Sequence, residues 1–392
     1  MKYDFTTLQK RIGIGSHKWD AMKRLNPEVS DDAVPFTTAD MEFINAPEIR
    51  KAVADYAMNN ILGYTAATDE YYDSLKKWMK KHHDLEFEKE NVIIYPGVVP
   101  ALYKAVETFT KEGDGVIIMP PVYGPFFGAI NANGRKLSKC PLINENERFT
   151  VNFELFEELC KAEENKIFIL CNPHNPVGRV WSEEELIKMA KICMENNVLI
   201  ISDEIHFDII MPGYKITSMG TFDFCRDNLI VCTAPSKTFN LASMQTSNII
   251  AWNKDIYNAL NRNKGINCIE SMNVLGFISC KAAYDYCEDW MYEMIETVDG
   301  NIKYFRNFIK ENIPELSMPI TEGTYLGWLN FRALNLNKDE LQKHLVSHEI
   351  FFVNGRDFGE EGEGYMRVNF ACPFKCVEEL CTKLLKAVEE LR

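Results

Sequence analysis

Short, uninterrupted apolar runs alternate with stretches of helical periodicity between about residues 91 and 237. The runs end at turn-forming or polar residues, and they occupy 91–95, 115–119, 166–170, 198–202 and 229–233. Continuous rather than alternating apolar runs are typical of strands that helices cover on both faces. Helical patterns follow at 101–111 and 182–196, and the second opens with Ser182 three residues before Glu185, a capping-box pattern. The alternation predicts an α/β fold around a mainly parallel sheet.

The two ends of the chain have a different texture. Residues 1–47 look irregular because glycine and proline interrupt them, and a helical pattern begins at Pro47. A long helical stretch, short strand-like runs and a closing helix occupy 284–311, 325–331, 351–353, 366–370 and 377–391. We predict an N-terminal segment (1–47) that belongs with a small α+β domain (290–392), and a large domain (48–289) between them. A chain of 392 residues is long enough for two such cores.

Composition narrows the classes of function. The formal net charge is -14, and 46% of the residues are hydrophobic and 26% charged, which is ordinary for a globular protein. Nucleic acids and anionic membranes both require a basic face, so we expect neither as a partner. No apolar stretch approaches the length of a membrane span, and residues 1–5 lack the apolar core of a signal peptide. We therefore expect a cytoplasmic protein.

Cysteines and paired histidines invite a metal-site interpretation. The twelve cysteines contain no Cys-x-x-Cys pair, and scattered cysteines in a long, unsecreted chain are usually small core hydrophobes. We therefore expect no structural metal site, including at Cys372, Cys376 and Cys381. His82 and His83 lie in a lysine-rich stretch, where we expect a solvated helix end.

Small or polar residues follow several of the predicted strands, at 97–99, 172–175, 203–206 and 236–237. Singly, each group has an ordinary explanation: a glycine after a strand is usually a turn, an aspartate a helix cap, and a lysine a solvated loop residue. Together they would lie at one edge of the sheet, where ligands collect in doubly wound folds. The sequence therefore predicts a ligand site at that edge.

These residues suit a cofactor that carries an aldehyde, a phosphate and a pyridine ring. Gly97, Val98 and Val99 would present free N–H groups to the phosphate at a helix start. A buried Asp203 would keep the ring nitrogen protonated, so that the ring can accept electrons. Lys237 would form a Schiff base with the aldehyde.

Three further side chains would surround the same ring. Tyr123, within residues 121–124, is placed to cover one face of it. Asn175 and His206 are candidates to contact the ring oxygen.

Three motifs at these strand ends resemble those of the fold-type I pyridoxal-phosphate enzymes of aminotransferase class I/II. Residues 172–178 resemble the family's Asn-Pro-x-Asn-Pro-x-Gly turn, 202–206 its cofactor-nitrogen strand, and 236–239 its Schiff-base turn. The spacing from Asp203 to Lys237 (237 − 203 = 34) is close to that of the family. The resemblance covers essentially the whole chain. It implies the type I fold, pyridoxal phosphate as the cofactor, and Lys237 as the catalytic residue.

The resemblance implies further roles for single residues. Tyr64 matches the tyrosine that reaches the phosphate of the neighbouring subunit, which implies a homodimer with active sites at the interface. Arg367 matches the arginine that binds the α-carboxylate of the substrate, and bidentate recognition suits that role. Asn175 and Tyr123 are also implied to contact the substrate. Without the motif, Arg367 would be interpreted as a strand arginine in a surface ion pair.

Two positions depart from the pattern of the family. Gln245 stands where many members carry a phosphate-binding arginine, and Ala234 stands where a serine or threonine is common. Ser236 is expected to supply the hydroxyl instead.

Other motifs resemble the aminotransferase-like cystathionine β-lyases within this family, at 18–20, 39–43, 203–206, 273–276 and 322–328. His206 stands where typical aminotransferases carry a tyrosine, and its place three residues after Asp203 favours a cofactor contact over a core histidine. The resemblance implies a C–S β-lyase that splits L-cystathionine or a related cysteine S-conjugate into a thiol, pyruvate and ammonia. A thiol is a good leaving group because its pKa is about 8.5.

Two alternatives stay open at this point. One is an aminotransferase of a neutral or aromatic amino acid. The other is a pyridoxal-phosphate-binding scaffold that regulates a partner protein.

Overall fold

A seven-stranded sheet lies at the centre of the molecule, whose computed structural model describes residues 1–270 and 272–392. The strands up to residue 250 are β1 (Val92–Tyr95), β2 (Gly115–Ile118), β3 (Lys136–Lys139), β4 (Ile143–Glu145), β5 (Arg148–Thr150), β6 (Asn165–Cys171), β7 (Leu199–Asp203), β8 (Leu229–Thr233) and β9 (Ser247–Ile250). Of these, β4 and β5 form a separate hairpin.

The strand order across the central sheet is β1-β9-β8-β7-β6-β2-β3. Strand β9 is antiparallel to both of its neighbours, and the other pairs are parallel. Since β1 and β8 are each antiparallel to β9, they run in the same direction. The predicted mainly parallel sheet is therefore confirmed, and the carboxyl ends of β1, β6, β7 and β8 meet at one edge.

Helices cover both faces of this sheet. The helices are α1 (His17–Leu25), α2 (Pro47–Asn59), α3 (Asp69–His83), α4 (Val98–Phe109), α5 (Gly124–Ala132), α6 (Phe153–Lys161), α7 (Glu183–Glu195), α8 (Lys254–Ile266), α9 (Val274–Tyr286), α10 (Glu288–Asn312), α11 (Lys338–Ser347) and α12 (Phe374–Glu389). Successive strand residues enter two separate cores: Ile201 packs in the core shared with α4 and α5, and Ile200 in the core shared with α7. This two-sided burial explains the uninterrupted apolar runs.

A second sheet follows α10. Its strands are β10 (Leu326–Asn330), β11 (Val353–Asn354) and β12 (Tyr365–Asn369), in the antiparallel order β10-β12-β11. The strand-like runs and the closing helix predicted for this region are thus confirmed, whereas the exact division into domains stays a prediction. Within the described residues, no helix combines the length and the apolarity that a membrane crossing requires.

One prediction about the helices was wrong, and another needs a different starting residue. The N-terminal segment is not wholly irregular, because α1 lies within it. That helix is short and charged, and only Lys18, Trp19 and Met22 are buried, so its periodicity is weak. The long helical stretch predicted at 284–311 is confirmed as α10, although this helix begins only at Glu288 because Cys287, with φ -113° and ψ 21°, separates it from α9.

The prediction of a solvated helix end at His82 and His83 was also wrong. His83 is buried, its ring stacks on Phe207 with centroids 3.7 Å apart, and its Nε2 lies 2.6 Å from Asp208 Oδ1. The lysines of this stretch occupy the other faces of α3. The cysteines follow the prediction better, because all except Cys268 are buried.

Candidate active site

The strand ends that the sequence singled out lie at the same level across the sheet. Cys171, at the end of β6, pairs with Asp203, at the end of β7, and Asp203 pairs with Cys232 of β8. On the far side, Thr233 pairs with Asn248, and Tyr95, at the end of β1, pairs with Ser247. The segments that carry Gly97, Asn175, His206 and Lys237 therefore leave the sheet along one edge, as predicted.

Lys237 lies in the turn after β8 and is partly exposed. Its Nζ donates to the carbonyl oxygen of Ala39 at 2.6 Å. Burial, and then the positive charge of Arg367, lower the pKa of Lys237 to about 8. The negative charges of Asp40 and Asp203 oppose this shift without cancelling it. Near neutral pH, Lys237 is therefore a neutral, nucleophilic amine in a larger fraction of the molecules than an ordinary lysine would be.

Asp203 ends β7, where its side chain is buried. Its Oδ1 accepts a hydrogen bond from the Ile205 N–H at 3.2 Å. Burial raises the pKa of this carboxyl to about 7, and the Ile205 N–H and the charge of Lys237 only partly oppose the rise. A buried carboxyl with so little compensation would be stabilised by a cationic partner.

Arg367 and Asn175 come together from the two sheets. Arg367, in β12, donates from Nη1 to Asn175 Oδ1 at 3.2 Å and from Nη2 to the Thr37 carbonyl at 3.2 Å. Its guanidinium lies 4.9 Å from the centre of the Phe358 ring. Burial lowers the pKa of Arg367 to about 10, which still leaves it charged at neutral pH. Arg367 is therefore no surface arginine, and its charge points into the same region as Lys237.

Two aromatic groups line this region. Tyr123 precedes α5, and burial followed by the charge of Asp203 raises the pKa of its hydroxyl to about 12. His206 is buried with its ring 5.7 Å from that of Tyr325. Burial, then the charges of Lys237 and Arg367, hold the pKa of His206 well below its usual value, so that its ring is neutral.

The predicted phosphate-binding residues lie at the start of α4. Gly97 is the N-cap and the helix begins at Val98, three residues earlier than the sequence indicated. The first N–H groups of a helix have no partner within it, so Val98 and Val99 offer donors at this edge of the sheet. Ser236 is half-buried beside Lys237 and Ala234 is buried.

Two residues with predicted or family-related roles are exposed, unlike the buried residues of this cluster. Tyr64 is 97% exposed. Gln245 is exposed in a left-handed conformation with φ 50°.

The sequence interpretation assigned no role to the backbone of residues 37–40, which closes over the lysine. Ala39 accepts from both Lys237 and the Tyr325 hydroxyl, the latter at 2.9 Å. Asn369 Nδ2 holds the same segment through the Thr38 and Asp40 carbonyls, at 2.8 and 2.7 Å. Tyr325, Ala39 and Asp40 lie in motifs that carried the resemblance, and these motifs were the available signal. A backbone carbonyl leaves no mark on the sequence.

A buried ionic network anchors this N-terminal segment. Lys18 Nζ lies 3.0 Å from Asp40 Oδ1 and 2.5 Å from Glu42 Oε1. Arg11 pairs with the same two carboxylates, at 2.9 and 3.1 Å, and Trp19 donates to Glu42 at 2.9 Å. The two cations and two anions balance, which makes their burial tolerable.

The described residues fit pyridoxal phosphate. Across residues 1–270 and 272–392, His206 Nδ1 and Arg367 Nε are among the buried polar atoms that have no hydrogen-bond partner. Both belong to the group that surrounds Lys237, and a buried polar atom without a partner is costly unless a ligand satisfies it. A carboxyl that needs a cation, an amine with a lowered pKa and free helix N–H groups meet the demands of the pyridine nitrogen, the aldehyde and the phosphate.

The chain belongs to the aminotransferase class I and II family, whose model matches residues 32–384. It is 34% identical to cystathionine beta-lyase PatB of Bacillus subtilis over 379 residues, which are 96% of this chain and 97% of PatB. The structure of cystalysin from Treponema denticola, described with its pyridoxal 5'-phosphate cofactor, matches with a TM-score of 0.98 and 42% identity over 100% of both chains.

The PLP-bound C-S lyase of Staphylococcus hominis matches with a TM-score of 0.92 and 29% identity, over 99% of this chain and 98% of that one. The predicted family, its fold, and the resemblance to cystathionine β-lyases are thus confirmed.

Proposed function

We propose that this chain is a pyridoxal-phosphate-dependent C–S β-lyase, which splits L-cystathionine or a related cysteine S-conjugate into a thiol, pyruvate and ammonia. The observation that carries the proposal is the convergence of Lys237, Asp203 and Arg367 at one edge of the sheet, in a chain whose relatives are named cystathionine β-lyase and C-S lyase. When bound, pyridoxal phosphate supplies an electron sink for the charge that is left on the α-carbon of the substrate.

Four groups of residues would hold the cofactor. Lys237 would bind its aldehyde covalently, and Asp203 would pair with the ring nitrogen. Val98, Val99 and Ser236 would bind the phosphate. Tyr123, Asn175 and His206 would line the ring, with the neutral His206 satisfying its unpartnered Nδ1.

Arg367 and Asn175 would select an amino-acid substrate. The guanidinium is charged and already oriented by its bonds to Asn175 and Thr37. Two N–H groups of the guanidinium can bind the two oxygens of one carboxylate, and the buried surroundings strengthen the ion pair. Binding the α-carboxylate there would direct the α-carbon toward Lys237.

Lys237 would move the proton that starts the reaction. With the substrate held at Arg367, the free Nζ of Lys237 would remove the α-proton, and its lowered pKa of about 8 suits a base that works near neutral pH. The bond between the β-carbon and sulfur then breaks, the sulfur leaves with the electron pair, and a proton completes the thiol. Hydrolysis of the remaining enamine yields pyruvate and ammonia.

We also propose a homodimer, in which Tyr64 reaches the phosphate site of the partner subunit. The support is that Tyr64 is 97% exposed and that its neighbours Met58, Ile61 and Leu62 form an exposed apolar segment. An apolar surface of this kind is typical of a subunit interface. A cytoplasmic location is proposed as well, since unpaired cysteines suit a reducing compartment.

The proposed domain division assigns residues 1–47 to the small C-terminal domain. In support, Phe36 N donates to Phe351 O at 3.0 Å, and Glu42 N donates to Ala371 O at 2.8 Å. Asn369 N donates in turn to Phe36 O at 3.1 Å. These bonds attach the N-terminal segment to the second sheet and its flanking loops.

The products formed from L-cystathionine test the activity. We expect the purified holoenzyme to release pyruvate and ammonia in equal amounts without any added keto acid, and Lys237→Ala to release neither. Turnover that requires 2-oxoglutarate and yields no pyruvate would establish an aminotransferase instead. A protein that binds the cofactor through Lys237 but turns over no amino acid in a broad panel would support the scaffold alternative.

A further inference from the structure

A buried carboxylate lies directly behind the turn that carries Lys237. Asp208 follows β7, and three donors converge on it, two from α3 and one from the lysine turn. His83 Nε2 lies 2.6 Å and Trp78 Nε1 3.1 Å from Oδ1, and Thr238 Oγ1 lies 2.7 Å from Oδ2. Thr238 is the next residue after Lys237. The carboxylate therefore links the end of α3 to the lysine turn.

These donors keep Asp208 charged. Burial alone would raise the pKa of its carboxyl, but the bonds from His83, Thr238 and Trp78 hold that pKa below its usual value. A buried anion whose donors come from fixed elements has a defined position, because moving it would leave a charge without partners. Asp208 is thus a rigid anchor for whatever it binds.

Within the lysine turn, Phe239 faces the core as Thr238 does, whereas Lys237 does not. Thr238 and Phe239 are fully buried, and the Phe239 ring packs against Trp78 with centroids 5.6 Å apart. Lys237 is partly exposed and reaches Ala39. Because Asp208 holds Thr238 in the core, the side chain of the adjacent Lys237 leaves the turn toward the candidate active site.

We propose that Asp208 and Thr238 are positioning residues for Lys237: the bond between them fixes the turn at 236–239, and this fixes the direction in which the lysine Nζ approaches the cofactor aldehyde. The proposal rests on the proposed role of Lys237 and adds the contacts that orient its side chain. His83 and Trp78 contribute by holding the Asp208 carboxylate in place. The proposal assigns neither Asp208 nor Thr238 a contact with the substrate.

The orientation of Lys237 can be tested without substrate turnover. The measurement is the rate at which the apoenzyme binds pyridoxal phosphate covalently. Thr238→Val removes the hydroxyl and keeps the shape, and Thr238→Ser keeps the hydroxyl. Thr246→Val is the matched control, because Thr246 is also buried and, among the residues that the structure describes, its hydroxyl donates to the Met244 carbonyl alone, at 3.3 Å. The absorbance of the lysine–cofactor bond, followed after mixing, gives the rate for each variant.

We expect Thr238→Val to slow covalent uptake about tenfold, since a displacement of about 1 Å at a reacting group can cost up to two orders of magnitude. Thr238→Ser should recover the rate to within about threefold and Thr246→Val should match the wild type, with every variant assayed below its melting temperature because Thr238→Val also removes a donor from the buried Asp208. In turnover, Thr238→Val should lower kcat and leave KM unchanged, because Arg367 and Asn175 are untouched.

Two results would overturn the proposal. One is an uptake rate in Thr238→Val equal to that of the wild type. The other is an equal loss in Thr246→Val, which would indicate a general effect of removing a buried hydroxyl. Should Thr238→Val not fold, Asp208→Asn serves in its place, with the same slowing expected. A wild-type apoenzyme that forms no bond at Lys237 would instead refute the proposed function itself.

Discussion

Arg367 Nη1 lies 3.2 Å from Asn175 Oδ1, which joins a strand of the second sheet to the turn after β6 across 192 positions of the chain. This hydrogen bond connects the two parts of the molecule at the proposed substrate site. Among the residues that the structure describes, Arg367 Nε remains buried without a partner, so the fork is only partly satisfied. An incoming carboxylate would complete its bonding.

Arg367→Ala should therefore raise KM for L-cystathionine about 100-fold and change kcat much less, because loss of a charged hydrogen-bonded pair costs about 3 kcal/mol. Initial rates over a range of substrate concentrations separate the two constants. Arg356→Ala removes an exposed arginine that pairs with Glu363 at 3.1 Å, and it should leave both constants within about twofold. An unchanged KM in Arg367→Ala would place the carboxylate site elsewhere.

Asp203 should make the apoenzyme less stable as the pH rises. Its pKa is about 7 in the folded protein and about 3.9 in an unfolded chain, so the folded state binds the proton more tightly. Stability is then full below about pH 4, declines up to about pH 7 and is level above that. Asp203→Asn lacks this titration and should be more stable than the wild type at pH 8 by a few kcal/mol.

Urea unfolding of both apoproteins at pH 5 and pH 8 measures this difference. The stability advantage of Asp203→Asn should grow between the two pH values. An advantage that stays constant or shrinks would show that Asp203 is already compensated without the cofactor.

Lys18→Met should destabilise the fold through the N-terminal segment. The Lys18 side chain is 1% exposed between Asp40 and Glu42, so its loss leaves these carboxylates with one cation fewer. Breaking a buried ionic network in this way costs about 3–5 kcal/mol. Lys10→Met is the control, because Lys10 pairs with Asp32 at the surface and should contribute less than about 1 kcal/mol. Equal midpoints of denaturant unfolding for the two variants would contradict the account.

Tyr64→Phe should weaken cofactor binding about tenfold while the protein stays dimeric, because one hydrogen bond to a charged group is worth about 1.5–3 kcal/mol. The matched control is Tyr214→Phe, since Tyr214 is 41% exposed and lies outside the proposed interface segment. Equilibrium dialysis gives the affinity, and sedimentation velocity gives the mass. A monomeric wild type, or a cofactor affinity in Tyr64→Phe equal to that of the control, would refute the role of Tyr64.

How far the sequence predicted the strands depended largely on burial, although the buried four-residue strand β9 was also missed. The strands β2, β6, β7 and β8 were evident because helices cover them on both faces, and this leaves uninterrupted apolar runs. The edge strand β3 and the hairpin of β4 and β5 were missed because solvent reaches them and their residues are largely polar. The turn motifs alone predicted that Lys237, Asp203 and Asn175 lie at one edge of the central sheet.

The missed parts of the site depend on long-range contacts. The carbonyl of Ala39 is a backbone group, and its bond to Lys237 spans 198 positions. His83 was assigned to solvent because lysines surround it in the chain, although it continues the buried face of α3 formed by Leu75, Trp78 and Met79. Helical periodicity could have placed His83 in the core, but only the fold could pair it with Asp208.

The central claim is that Lys237 binds the cofactor covalently, and trapping that bond tests it most directly. Borohydride reduction of the holoenzyme, followed by proteolysis and mass spectrometry, identifies the modified lysine. The account predicts a phosphopyridoxyl group on the peptide that contains Lys237, and no such group after the same treatment of Lys237→Ala. A modification on a different lysine, with the Lys237 peptide unmodified, would contradict the account.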